Sequence, residues 1–278
     1  MNETSNISDI TIVIPVFNEL AYTANCVESL NRAGLPDSQI VVVNNASTDG
    51  TAEYLAGRPQ ILAIHNTKNR CCAYAWNQAL KLRQTTWTGV LNNDIIIAPN
   101  TLLELLRFAE AGEFDVVSPA VCEGKLDYDF QSHADEFIRI MAPASRRNIV
   151  CSSFFMVHRR VFDAIGFFDD DPKLGGYEDD EFFRRVRRAG FRMAITGGAF
   201  HHHFGGTTQK SIKASLNRPN MSLGDRTYYR KKTGQTWGKR KWTQIRHAFR
   251  IAWWKNTERL CYGHTLHETR IARKWGYR

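Results

Sequence analysis

Three clusters of side chains could do chemistry. The first is Leu91-Asn92-Asn93-Asp94, a polar triplet between the β-favouring run Thr86–Leu91 and apolar Ile95-Ile96-Ile97. At the C-terminal end of a strand such a group faces the crevice where open α/β sheets bind ligands. A carboxylate beside two amides there suits a hard divalent cation that carries substrate phosphates. The same residue types also build ordinary turns. The second cluster is Glu178-Asp179, opening the helix 178–189. Carboxylates held on a helix N-terminus can take a proton from an attacking hydroxyl, although the helix dipole favours acids in any first turn. The third is His201-His202-His203 at a strand end. On extended chain His201 and His203 share one side and His202 takes the other. Imidazole together with carboxylate suits manganese.

The elements that must position these groups alternate. Ile10–Phe17 and Ile40–Val43 are apolar, β-branched runs predicted as buried strands, Ile61–His65 and Trp87–Leu91 are predicted as a third and a fourth strand, and Val116-Val117 as a further short one. Helices are predicted from Asn18, as cap, to about Ala33, from Thr51, over Ala73–Leu82, and from Asn100 to Gly112. Strands alternating with helices predict an α/β fold with a mostly parallel central sheet flanked by helices. Ile149–Val157 and Phe191–Thr196 are read as later strands, and Arg160–Ile165 as a helix. Cys122–Asn148 is polar and aperiodic and is read as an excursion over the sheet. After about Lys210 no strand signal remains.

The 278 residues carry a formal net charge of +9, unevenly spread. From Thr207 onward there are 18 Lys and Arg against 3 Asp and Glu, so the body is slightly acidic and the tail basic. Within the tail, Trp242, Ile245, Phe249, Ala252, Trp253 and Leu260 fall near helical spacing among arginines and lysines. Such a helix suits either packing on the body or contact with a membrane surface through 237–278. No recognisable nucleic-acid-binding module is present, and no apolar run is long enough to span a bilayer. The polar start lacks a secretory signal. Six scattered cysteines without a Cys-x-x-Cys pair fit a reduced, cytoplasmic protein, peripheral on the inner face of the plasma membrane if the tail binds lipid.

Four segments taken together resemble the family 2 glycosyltransferases: Val13-Ile14-Pro15-Val16-Phe17-Asn18-Glu19, Val42-Val43-Asn44-Asn45-Ala46-Ser47-Thr48-Asp49-Gly50-Thr51, Leu91-Asn92-Asn93-Asp94 and Gly176-Tyr177-Glu178-Asp179. They occur in the family's order over roughly residues 10–208. The resemblance implies a GT-A fold over 1–208, with a Rossmann-like nucleotide-sugar half at about 10–118 and an acceptor half at about 119–208. A helical, basic, Trp-rich extension would follow at 209–278. It also implies metal-dependent, inverting transfer of a hexosyl or deoxyhexosyl group from a nucleoside-diphosphate sugar to a glycan or lipid-linked glycan, as in polysaccharide biosynthesis, with Mn2+ or Mg2+ as cofactor. Pro15, Val16, Asn18, Glu19, Asn45, Asp49, Arg70, Asn77, Asn92 and Asn93 would hold the donor. Asp94 and His203, with His201 in reserve, would hold the metal. Asp179 would be the base and Glu178 would hold acceptor hydroxyls, with Asp180 and Glu181 as ordinary first-turn charges.

The chain departs from the family at three places. Asn92 stands where the Asp-x-Asp motif has its first acid, Asn44 where an aspartate is common, and Cys71 where glycine is usual. The donor is expected to be UDP- or dTDP-linked ahead of GDP-linked. A GT-A module that binds sugar nucleotides without turnover is the alternative. A nucleotidylyltransferase ranks lower, because the loop after the first strand is not Gly-rich.

Overall fold

The structure is a computed structural model that describes residues 6–82, 85–206, 224–234 and 236–278. The chain runs β1 (Ile10–Val16), α1 (Leu20–Arg32), β2 (Ile40–Asn44), α2 (Thr51–Ala56), β3 (Leu62–His65), α3 (Cys72–Leu80), β4 (Trp87–Leu91), β5 (Ile95–Ile97), α4 (Thr101–Gly112), β6 (Val116–Gly124), α5 (Phe130–Met141), β7 (Ser145–Arg147), β8 (Phe154–His158), α6 (Arg159–Ile165), α7 (Glu178–Arg188), β9 (Met193–His203), α8 (Arg226–Lys232), α9 (Trp237–Tyr262), β10 (His267–Ile271) and β11 (Lys274–Tyr277). The strand order is β11-β10-β6-β8-β4-β1-β2-β3, with β5, β6 and β7 all pairing β9.

Strands β3, β2, β1 and β4 pair in parallel, which places the ends of β1, β2 and β4 along one edge. Side chains alternate across each strand. Ile10, Ile12, Ile14, Ile40 and Val42 face one core with Leu30 of α1 and Leu105 of α4. Val13, Val41 and Val43 face the other with Trp76 of α3 and Phe182 of α7. Burial on both faces is why β1, β2 and β4 read as unbroken apolar runs; β3, at the sheet edge, is not buried, with Leu62 47% exposed. Beyond β4 the pairing is mixed: β8 is antiparallel to both β4 and β6, whereas β6 runs parallel to β9 and β10.

Two expectations are corrected. Residues 122–148 are not an irregular excursion. β6 continues to Gly124, and α5 follows, capped by the Asp129 carboxylate, which accepts from the Ser132 N–H at 2.7 Å. Its buried stripe is narrow, Ala134, Phe137 and Met141, and is interleaved with His133, Asp135 and Glu136, so the period is faint in sequence. The tail also carries strands. β10 pairs in parallel with β6, and β11 closes a hairpin on it. Where α5 crosses, β9 bulges between Thr196 and Phe200. Gly197 is required there, since a Cβ would lie 2.2 Å from the Met141 carbonyl oxygen. The expected extension begins in residues outside those described and continues through α8 and α9. All six cysteines are free thiols.

Candidate active site

The polar loop ends converge on one cleft of about 1000 Å³. Its walls include Pro15 near the end of β1 and Phe17 just past it, Lys68, Asn69 and Arg70 after β3, Asn92, Asn93 and Asp94 after β4, Ser152 before β8, Gly176, Glu178 and Asp179 at the start of α7, and His203. Residues distant in sequence meet here because β1 and β4 are parallel neighbours and β9 is laid against β5, opposing Ile95 to His203.

Asp94 is 3% exposed, and its Oδ1 lies 3.2 Å from His203 Nε2. On the far side of that ring, Nδ1 is 3.5 Å from Glu123 Oε1. Burial disfavours the imidazolium, but the Asp94 and Glu123 carboxylates outweigh it and raise the His203 pKa to about 9. Glu123 is in turn held by His267 Nε2 at 3.1 Å and Arg278 Nη1 at 3.0 Å. Burial pushes the Glu123 carboxyl up, yet its histidine partners pull it well below the carboxylate range. Sequence reading missed Glu123. It stands in β6 far from any motif, and only the β6–β9 pairing brings it opposite His203.

Asp94 and His203 offer one carboxylate and one imidazole. Among the described residues no group of three or more His, Cys, Asp or Glu makes a ready metal cage. Two protein ligands still fit Mg2+ or Mn2+, which complete their shells with phosphate oxygens and water.

His201 is not brought to the cleft. The Ala120 carbonyl can only accept, so His201 Nδ1 donates to it at 2.9 Å, and Nε2 accepts from the Ser153 hydroxyl at 2.8 Å. Its ring is fully buried, which holds its pKa well below the ordinary value. His201 is therefore corrected from reserve metal ligand to scaffold. His202 is tied similarly, to Tyr128 and Gly124.

Glu178, another lining residue, is 7% exposed, and its Oε2 has no hydrogen-bond partner among the described residues. Burial, reinforced by the charge of Asp179, raises its pKa to about 7. Asp179 is raised too, by burial and then by Asp180, while its Oδ1 accepts from the Asp180 N–H at 2.9 Å.

The remaining expected donor contacts divide. Pro15, Arg70, Asn92 and Asn93 line the cleft; Val16, Asn18, Glu19, Asn45, Asp49 and Asn77 do not. Val16 is core. Asn18 Oδ1 accepts from the Thr48 N–H, and Asp49 Oδ2 from the Leu20 N–H, both at 2.8 Å, so each loop caps the other. Asp49 thus caps α1 in place of Asn18, while Asn18 and Glu19 themselves adopt positive φ, 56° and 64°. Asn44 is likewise a turn cap, accepting from the Ser47 N–H at 2.8 Å. Asn45 binds Cys71 O and Asn66. Asn77 binds the Phe168 backbone at 2.9 and 3.1 Å. Trp76 and Tyr74 line the cleft without having been expected there.

The chain is 23% identical over 241 residues to the minor teichoic acid biosynthesis protein GgaB of Bacillus subtilis, covering 80% of this chain and 26% of that protein. It is 27% identical over 112 residues to the uncharacterized glycosyltransferase EpsJ of the same organism, covering 39% of this chain and 32% of that one. It therefore spans no more than about a third of either relative. Among solved structures, Staphylococcus aureus TarS 1–349 superposes with a TM-score of 0.56 at 15% identity, over 77% of this chain and 67% of that one. A mannosyltransferase from Pyrobaculum calidifontis, solved with GDP-Man and Mn2+, superposes with a TM-score of 0.51 at 21% identity, over 68% and 54%. These neighbours are GT-A proteins, and the fold is theirs. The model of glycosyl transferase family 2 matches residues 11–166, more than half of the chain, and to that family the chain belongs.

Proposed function

We propose that the chain is a metal-dependent, inverting glycosyltransferase acting on a hydroxyl of a glycan or lipid-linked glycan. The observation that carries this reading is the single cleft with Asp94 and His203 among its lining residues and Glu178 with Asp179 at the start of α7. Asp94 and His203 would hold Mn2+ or Mg2+ against the donor diphosphate. Lys68 and Arg70 supply further positive charge at the same cleft. Asp179 accepts the proton of the acceptor hydroxyl as that oxygen attacks the anomeric carbon. The bond from that carbon to the diphosphate breaks on the opposite face. When bound, the cation offsets the charge left on the diphosphate. Glu178, half protonated near neutral pH, can both donate to and accept from acceptor hydroxyls.

The expected preference for uridine or thymidine donors has nothing in the comparisons behind it, and the Pyrobaculum calidifontis neighbour was solved with GDP-Man. Six free thiols suit a reducing, cytoplasmic site of action.

The test pairs binding with turnover. A thermal-shift screen of sugar nucleotides with Mn2+ identifies the donor. Asp179→Asn should then keep donor affinity and lose about a hundredfold or more in transfer. Near-normal turnover would remove Asp179 from the chemistry. Donor binding without transfer or donor hydrolysis in the unaltered protein would favour the non-catalytic alternative.

A further inference from the structure

Helix α9 wears its apolar residues on the outside. Trp242, Ile245, Phe249, Trp253 and Leu260 are 63%, 60%, 76%, 58% and 87% exposed. Their spacing puts all five on one stripe of a helix. The opposite face already has its partners. Glu258, 6% exposed, accepts from Arg146 Nε and Nη2 at 2.7 Å each and from the Leu266 N–H at 2.9 Å. Trp254 lies 5.3 Å beneath the same guanidinium. The anchored face fixes the stripe pointing away from the sheet.

The borders of the stripe are cationic. At 100° per residue, Lys241 and Arg259 lie along one side and Arg246 along the other, and all three are exposed. Glu258 is the single acid in α9, and it faces inward. Among the described residues no helix is long and apolar enough to cross a membrane. An apolar stripe between basic borders is the pattern of a helix lying in the plane of a lipid interface. A two-fold contact between copies would set basic borders against basic borders.

We propose that the outer face of α9 docks this protein on an anionic lipid bilayer, with Trp242, Ile245, Phe249, Trp253 and Leu260 inserted and Lys241, Arg246 and Arg259 on lipid phosphates. A cavity of about 450 Å³ lies at the N-terminal end of the stripe, lined by Trp242 and by Tyr177, Asp180, Arg184, Arg226 and Arg230. Tyr177 and Asp180 bracket Glu178 and Asp179 in the chain. The docked surface thus continues, through a largely cationic hollow, to the α7 end of the cleft.

The full chain is sedimented with vesicles of phosphatidylcholine alone and of phosphatidylcholine with phosphatidylglycerol. Binding to the anionic vesicles, weakening with salt, is expected. Phe249→Asp and Trp253→Asp should each lower partitioning by about tenfold or more. Lys241→Gln and Arg246→Gln should each lower it by about fivefold. These side chains are exposed, so far-UV circular dichroism should be unchanged in every variant. Quenching of Trp242 and Trp253 by brominated lipid should drop in the Trp242→Phe, Trp253→Phe double variant. Absent binding, or binding indifferent to these changes, overturns the proposal. So does a lipid-free dimer, seen by light scattering, that Phe249→Asp dissociates, since the occupant is then a second copy. The assay contains no donor, so its failure leaves the transferase reading intact.

Discussion

Glu178 joins burial, an Oε2 without a hydrogen-bond partner among the described residues and a pKa raised to about 7 from an ordinary 4.5. A raised carboxyl binds its proton more tightly in the folded state. The stability this contributes is present below about pH 4.5 and is lost as pH rises through about 7. Glu178→Gln cannot ionise. It should gain on the unaltered protein by up to about 3 kcal/mol between acid and mildly alkaline pH. Urea titrations at the two ends of that range measure it, and parallel stability curves would refute the burial argument. Glu123 lies 3.5 Å from His203 Nδ1, on the side of the ring away from Asp94. Glu123→Gln should weaken Mn2+-dependent donor binding by about tenfold or more while leaving metal-free binding alone. Calorimetry with and without Mn2+ separates the two. Asp94 stood out in sequence because a polar triplet interrupts apolar runs there, and Asp179 because it opens a helix in a segment that resembles the family. Glu123 did not, because it closes an ordinary strand.

The start of α3 shows how one element can be at odds with its own residue. Cys71 has φ 73° and ψ 167°, a region in which glycine alone is unstrained. That is the position where the resemblance led us to expect glycine. Cys71→Gly should therefore stabilise by about 1 kcal/mol, the relief of strain exceeding the added chain entropy. A denaturant midpoint that falls would show that packing of the thiol matters more. Strands β1, β2 and β4 were legible because their residues are buried on both faces. Helix α5 was not, since its stripe is narrow, and neither was β10. Its His267-Glu268-Thr269-Arg270-Ile271 holds one apolar residue, and buried Glu268 is met by His264 Nδ1 and the Thr265 N–H at 3.0 and 3.2 Å.

Across the whole molecule, the basic tail is tied into the body. β10 joins β6, Arg278 and His267 reach Glu123, and Arg146 binds Glu258 with both at most 6% exposed. Arg146→Ala leaves a buried carboxylate without its partner and should cost about 3–5 kcal/mol. Arg146→Met with Glu258→Leu should cost much less, because no charge is then stranded. Thermal melts decide between them, and equal losses would mean that the site simply tolerates no repacking. The sequence by itself determined the alternating α/β order, the loops that bear polar groups and the uneven charge, since each follows from local residue pattern. Only the tertiary structure decided which polar groups share the cleft. His203 rather than His201 faces it, Asn18 and Asp49 cap loops, and Glu123 backs the histidine. Those choices depend on which strand lies beside which, and pairing between distant segments leaves no mark in local pattern.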